Sequence, residues 1–443
     1  MSLSYCWGRS NDKSKTTKRN LEDRRSRIDL ESLPLTIQDA IRLTRIMGIQ
    51  YLWVDALCII QSEDGKRNLE DFYFEAPRVG SYYSNAYCLI SALAAPDSAQ
   101  GLFTERDTYQ YPLKTCTLGF DEDDKQCFIL KNLVENVRRY QGPAMKRGWC
   151  LQERLLSRRI IHWTKDAIFW QCRGLPLAGE LQPHPSTSDD SLLRSYEGYI
   201  LAEPFDKAVG TSWTTLVRRY MDMNLSFQSD RLAAIQGLGD RLAQHHQDQY
   251  FAGVFRSHLA HGLLWYGHRY VRHTQATDGQ QLFFPTWSWG SASGTVEFEE
   301  PTACLATHNG PRTFPPTAHL VQMLGPEMRR LQLRAPLVTI HEFQLKNSWG
   351  YHGRAKWAFY DFEVDFDLDD TQSALPASGF QILMLGHQKN FKILLGIIVA
   401  PSEWNRQYFK RIGLARVHTS KGNMSENEMK SFLNRWMESV SLV

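Results

Sequence analysis

At 443 residues, with 42% hydrophobic and 22% charged side chains, the chain is long enough for two to three domains and too apolar for wholesale disorder. The net charge of +3 is small for that length and gives no mandate for nucleic acid, whose readers usually concentrate basic residues on one face, so no nucleic-acid partner is expected. No apolar run reaches the ~20 residues that span a bilayer, and the start MSLSYCWGRS lacks a basic head with an apolar stretch behind it. A soluble, cytoplasmic protein without a membrane span is therefore expected.

The eight cysteines, at 6, 58, 88, 116, 127, 150, 172 and 304, form no CxxC. Cys58 and Cys88 sit in apolar runs, where a free thiol behaves as a small hydrophobe, in keeping with a reducing compartment.

In chain order, SLSYCW reads as a short buried strand that ends at Gly8. The basic run from Arg9 to Arg27 is diluted by Asp12, Glu22, Asp23 and Asp29 and reads as a solvated segment. Ile37, Ala40, Ile41, Thr44 and Arg45 have helical spacing, with Gly48 as the stop. YLWVDALCII and AYCLISALAA are apolar runs of strand length, and residues 62–86 between them are expected to contain a helix. RGWCLQERLL reads as a helix, and RRIIHWTKDAIFWQCR as two strands turning at Thr164-Lys165-Asp166. Strands alternating with helices predict an α/β unit built on a parallel sheet.

Residues 174–192, rich in Pro, Gly and Ser, read as a linker or surface loop. A mostly helical region is expected over 193–272. From 280 to 443 a β-rich extension follows, with antiparallel segments such as GFQILMLGH and NFKILLGIIVAP. Its tail carries a capping box, Ser425 with Glu428, that predicts a final helix.

Several common sites are absent. No GxGxxG follows a strand, and neither GxxxxGK[ST] nor Gly-x-Ser-x-Gly occurs. His258 and His261 form an HxxH without the glutamate of a metalloprotease, so no metal site is expected there. Trp287 and Trp289 in PTWSWGS fall on one side of an extended strand and read as packing residues.

Two carboxylates stand out. Asp55 interrupts an apolar run, which is expensive unless it is paired in the structure or faces a ligand at the carboxyl end of a strand; both readings are open. Glu153, in WCLQE, is either a first-turn charge that suits the helix dipole or a carboxylate placed for chemistry. Arg147, Arg154, Arg158 and Arg159 lie close by in sequence, placed either to hold phosphates or to meet solvent.

LSYCWG, LPLTIQDAIRLTRIMGIQYLWVDALCIIQSED, GSYYSNAYCLISALAAPDSAQGLF and RGWCLQERLLSRRIIHWTKDAIFWQC, in that order, resemble the fungal heterokaryon-incompatibility (HET) domain. The resemblance places this domain at 1–175, with an insertion around 104–146. It implies a role in fungal self/non-self recognition, or allorecognition, ending in programmed cell death.

The HET domain is in turn similar to Toll/interleukin-1 receptor (TIR) domains, which implies a TIR/flavodoxin-like parallel sheet. In many TIR domains a WCxxE motif carries the glutamate that cleaves NAD, and Trp149, Cys150 and Glu153 match its spacing. The resemblance thus implies Glu153 as the catalytic residue, Asp55 at the ribose, and Arg154 and Arg158 at the phosphates. NAD would be a substrate, and no cofactor is implied. Self-association, an incompatibility partner protein and a small-molecule substrate are the implied partners. Two alternatives use the same scaffold: a non-enzymatic recognition and assembly module, and an accessory enzyme of secondary metabolism.

Overall fold

The computed structural model describes residues 1–62, 69–103, 115–120, 126–130, 142–164, 168–172, 175–179, 200–267, 284–292, 294–305, 307–308, 330–345, 352–357, 362–369, 375, 379–388, 392–402, 405–419 and 425–442. Helices and strands are mixed, and the chain divides into two compact units, Met1–Tyr199 and Ile200–Val443. Among the described residues no helix is long and apolar enough to cross a membrane.

The first unit is organised by a five-stranded sheet in the order β1-β2-β5-β6-β7. β1 (Ser2–Ser4), β2 (Leu89–Ala92) and β5 (Arg159–Trp163) are parallel, in register Ser2 to Leu89 and Leu89 to Ile160. β6 (Ile168–Cys172) and β7 (Leu175–Gly179) add antiparallel neighbours. Between β2 and β5, β3 (Thr115–Phe120) pairs antiparallel with β4 (Gln126–Leu130) inside the segment read as an insertion.

The helices are α1 (Leu21–Ser26), α2 (Leu35–Ile46), α3 (Asp55–Cys58), α4 (Leu69–Asn85) and α5 (Gly148–Leu156). Side chains of β2 alternate between the two faces of the sheet. Ile90 and Ala92 pack with Leu3 and with Ile37 and Ala40 of α2. Leu89 packs with Ile160 and with Val79 and Tyr83 of α4, where Trp53 and Trp149 join. Burying a side chain such as Ile37 or Leu89 contributes about 1.5–3 kcal/mol.

In the second unit, Phe205–Lys207, Ala208–Trp213 and Thr214–Met221 run on as one helical stretch, and a second helix spans Ala233–His245. The short strands β8 (Tyr250–Phe251) and β9 (Val254–Phe255) pair, as do β10 (Trp265–Gly267) and β11 (Val296–Phe298). β12 (Ala303–Cys304) and β13 (Thr307–His308) lead into the large, mainly antiparallel sheet of β14 (Leu331–Ile340), β15 (Glu342–Leu345), β16 (His352–Trp357), β17 (Phe362–Leu368), β18 (Phe380–Gln388), β19 (Ile393–Pro401), β20 (Phe409–His418) and β21 (Met437–Leu442).

β14 pairs with both β18 and β21, β19 joins β18 to β20, and Phe409 of β20 meets Leu442 of β21. Five strands thereby close into a ring. Val338, Ile382, Met384, Leu394 and Ala415 share one apolar cluster with Met429, Phe432 and Leu433 of the helix Glu426–Arg435. That helix carries the expected capping box between Ser425 and Glu428.

Three expectations are corrected. YLWVDALCII is not a strand: it makes two isolated bridges, Trp53 to Ser2 and Ile60 to Thr16, and between them the chain turns into α3, where the Ala56 N–H donates to Asp55 Oδ1 at 2.7 Å. A local carboxylate acceptor favours such a turn over continued strand pairing. Part of the expected linker, Leu175–Gly179, is β7, whose alternating leucines suit a strand. PTWSWGS is a turn followed by a short helix at Trp289–Ser291, because Ser288 accepts from the Gly290 N–H; both tryptophans are buried, as packing residues should be. Among the described residues from 200 to 267 helices predominate, and the short strands β8, β9 and β10 stand beside them. Residues 63–68, 180–199 and 268–283, on which parts of the helix, linker and helical-region readings fall, lie outside the described residues.

Candidate functional site

β1 ends at Ser4, and the residues that follow it meet two other segments, the start of α3 and the helix α5. The carboxyl ends of parallel strands are where α/β sheets hold ligands. Three side chains with ionisable heads converge there: Asp55, Arg147 and Glu153.

α5 places two of them. Arg147 caps the helix with extended backbone, and every residue from Cys150 to Leu156 is buried. Cys150 packs with Cys6, Leu93 and Ala144, which turns this face of α5 toward the end of β1. Glu153 is the sixth residue of the helix and 6% exposed, so it is neither in the first turn nor solvated. The helix-dipole reading is thereby corrected, since the dipole acts within the first turn.

Burial pushes the Glu153 carboxyl up to about 7, and the charge of Asp55 adds to the rise. A hydrogen bond from Ser4, the charge of Arg147 and a hydrogen bond from Cys150 act in the opposite direction. Glu153 is therefore a carboxyl poised between its two protonation states near neutrality, the condition a general acid or base requires.

Asp55 keeps partial exposure while its carboxylate turns inward. Trp7 Nε1 donates to its Oδ2 at 2.9 Å and the Ala56 N–H to its Oδ1. Burial raises its pKa, against the pull of Arg147 and of hydrogen bonds from Ala56, Trp7 and Tyr5. Both open readings of Asp55 thus meet here: it is hydrogen-bonded in the structure, and it lies at the strand end.

The Arg147 guanidinium donates to the Tyr5 carbonyl. Burial disfavours its charge, but Cys150, Glu153, Asp55 and Cys6 around it raise its pKa overall. Burial, Glu153 and Asp55 hold the Tyr83 hydroxyl neutral, and it donates to the Leu3 carbonyl at 3.2 Å. Gly8 lies at φ 61, where a side chain would collide with the Asp97 carboxylate. Asp97 in turn bears on Cys6.

The structure thus brings Glu153 and Asp55 together. The other two residues assigned from the resemblance have different surroundings. Arg154 is buried against Met145, and its charge disfavours protonation of His162. Arg158 is exposed, just beyond the end of α5. The guanidinium whose charge bears on both carboxylates is that of Arg147.

Sequence reasoning passed over Ser4 and Tyr5. Their position at the carboxyl end of the first strand is the signal that could have found them. In the second unit His258 bonds Asp206 and Ser257, and among the described residues no group of three His, Cys, Asp or Glu could hold a metal.

Residues 1–153 match the family model described as heterokaryon incompatibility protein (HET), which supports a heterokaryon-incompatibility domain over that segment. The match spans Ser4, Asp55, Arg147, Cys150 and Glu153. No curated protein and no solved structure matches the chain.

Proposed function

We propose that this protein is an effector of fungal heterokaryon incompatibility, a self/non-self recognition that ends in cell death, and that its N-terminal unit acts by cleaving NAD at Glu153. The general role rests on the family match over residues 1–153. The observation that carries the chemistry is the buried Glu153, facing Asp55 and Arg147 at the carboxyl end of β1.

Cleavage breaks the bond between ribose C1′ and the pyridinium nitrogen, and nicotinamide leaves with the bonding pair. The ribose carbon becomes oxocarbenium-like, and an ionised Glu153 stabilises that charge. Water then adds to C1′ and releases a proton, giving ADP-ribose. Nicotinamide needs no proton to leave, so one working carboxylate suffices. Asp55 is within the same cluster and suits the ribose end of the substrate.

Strand order supports the TIR-like reading. Trp53 bridges the outer side of β1, with β2 and β5 on the other, which is how a flavodoxin-like 2-1-3-4 order begins. The antiparallel β6 and β7 depart from that order.

A second reading, an assembly module without catalysis, is favoured by the closure of Glu153 from solvent. In the first reading, self-association or an incompatibility partner opens the site.

The test is nicotinamide release from NAD by the purified protein at high concentration. Glu153→Ala and Glu153→Gln are expected to lower release by about 10²-fold or more, with the circular dichroism of the folded chain retained. A folded, concentrated wild type that releases none overturns the hydrolase in favour of the assembly module.

A further inference from the structure

The chain that leaves β1 folds back beside the strand end. Trp7 Nε1 donates to Asp55 Oδ2 at 2.9 Å. Further on, Thr16 is tied to α3: its N–H donates to the Ala56 carbonyl at 2.9 Å and its hydroxyl to the Leu57 carbonyl at 2.7 Å. Residues 8–15 thus form a strap pinned at both ends next to Asp55, with the short turn Arg9–Ser14 in its middle.

Asn11 is the part of the strap that faces Tyr5, and it is 1% exposed. Its carbonyl accepts from the Ser14 hydroxyl at 2.7 Å and its Oδ1 from the Tyr5 hydroxyl at 2.9 Å. Its buried Nδ2 meets no acceptor among the described residues. A buried donor left without an acceptor is costly, and native proteins keep few of them. Turning the amide over does not remove the problem. Nδ2 would then donate to the Tyr5 oxygen, the Tyr5 proton would pass to the nearby Asp55 carboxylate, and Oδ1 would be the open atom.

One open atom limits the ligand. A carboxamide or a purine edge pairs through a donor and an acceptor side by side, and Asn11 offers only one of the two. A hydroxyl both gives and accepts a hydrogen bond, so it suits either orientation of the amide. An ionised Asp55 only accepts. A vicinal diol serves both residues, with one hydroxyl on Asp55 and its neighbour on Asn11.

We propose that Asn11 is a specificity-determining residue of the site at the end of β1, its open amide atom taking one hydroxyl of a ribose whose other hydroxyl meets Asp55. This deepens the hydrolase reading and rests on it for the identity of the sugar. The strap is then one wall of the sugar site, and its tie to α3 holds Asn11 in place relative to Asp55.

The experiment titrates ADP-ribose into the concentrated full chain by calorimetry. The comparison ligands are ADP and the two counterparts of ADP-ribose that lack the C2 or the C3 hydroxyl of the terminal ribose. The wild type is expected to bind one deoxy counterpart about tenfold more weakly, the worth of one hydrogen bond. Asn11→Ala should bind ADP-ribose about tenfold more weakly than the wild type does. In that variant the same deoxy sugar should bring no further loss, because the contact is already gone. ADP should bind both proteins alike.

Equal affinity of the wild type for ADP-ribose and both deoxy counterparts overturns the contact, and that arm requires no variant to fold. A loss in Asn11→Ala that ADP shares, or to which the deoxy loss still adds, overturns it as well. Unmoved affinity with a changed melting temperature in Asn11→Ala assigns the open atom to a buried water and has the same result. A wild type that binds ADP-ribose no better than ADP overturns the sugar site itself. If the deoxy discrimination is found and depends on Asn11 while NAD yields no nicotinamide, the contact stands and the hydrolase reading falls.

Discussion

Each unit buries an arginine among carboxylates, and the two arrangements differ in their balance. In the second unit Arg411 is wholly buried. It binds Asp369 through Nε at 2.9 Å and Nη2 at 3.1 Å, donates to the carbonyls of Leu263 and Trp265, and lies 3.6 Å from the centre of the Trp265 ring. One cation meets one anion, and its remaining donors meet carbonyls. In the first unit one guanidinium meets two carboxylates, both with raised pKa values. A balanced buried pair serves as a structural tie, whereas an excess of buried carboxylates is costly to ionise.

Breaking the balanced pair should have the largest effect on stability. Arg411→Met leaves Asp369 buried without its partner and is expected to cost about 3–5 kcal/mol, read as a lower urea midpoint. A midpoint equal to that of the wild type would remove the contrast between the two arginines.

The unbalanced site predicts a pH dependence of definite sign. Glu153 has a folded-state pKa of about 7, above its ordinary 4.5. The stability it permits is therefore fully present below about 4.5 and is lost as pH rises through about 7. A shift of that size corresponds to about 3 kcal/mol. Glu153→Gln should match the wild type near the acid end and exceed it in melting temperature above neutrality. Equal melting temperatures at alkaline pH would show that Glu153 ionises without cost.

The smallest expected change is in Tyr83→Phe. Losing its hydrogen bond to the Leu3 carbonyl should cost about 1 kcal/mol, with the shape of the stability–pH curve unaltered. A changed curve would make Tyr83 a member of the titrating group, and not only part of its wall.

The long periodic elements of this fold are legible in the sequence. Helix α2 with its Gly48 stop, strand β2, the paired strands β5 and β6, and the capped helix at Glu426–Arg435 all stand where periodicity and caps place them. Short elements decided by one polar side chain are not. Asp55 converts an apolar run into α3, and Ser288 turns PTWSWGS.

The candidate site divides in the same way. Glu153 and Asp55 stand out because carboxylates in apolar runs are conspicuous. That they face one another across the end of β1 depends on contacts between residues about a hundred positions apart, which spacing along the chain does not encode. The bearing of Arg147 on both, and the contrasting surroundings of Arg154, depend on which way a helix buried on nearly all sides is rotated. Ser425 and Glu428 could be read because a capping box is local; Arg411 and Asp369, 42 positions apart, could not.

The ring of strands in the second unit also carries a consequence for biosynthesis. β14 finds one neighbour in β18 and the other in β21, with Leu331 opposite Leu442. During translation β14, β18, β19 and β20 emerge first, and the gap beside β14 stays open until residues 437–442 have been made. Pairings of such long sequence separation form slowly. The first unit, whose described strands are complete by Gly179, can fold well before this happens. A ribosome stalled before residue 437 would carry a finished first unit joined to an open sheet edge, the form most exposed to chaperones and to aggregation.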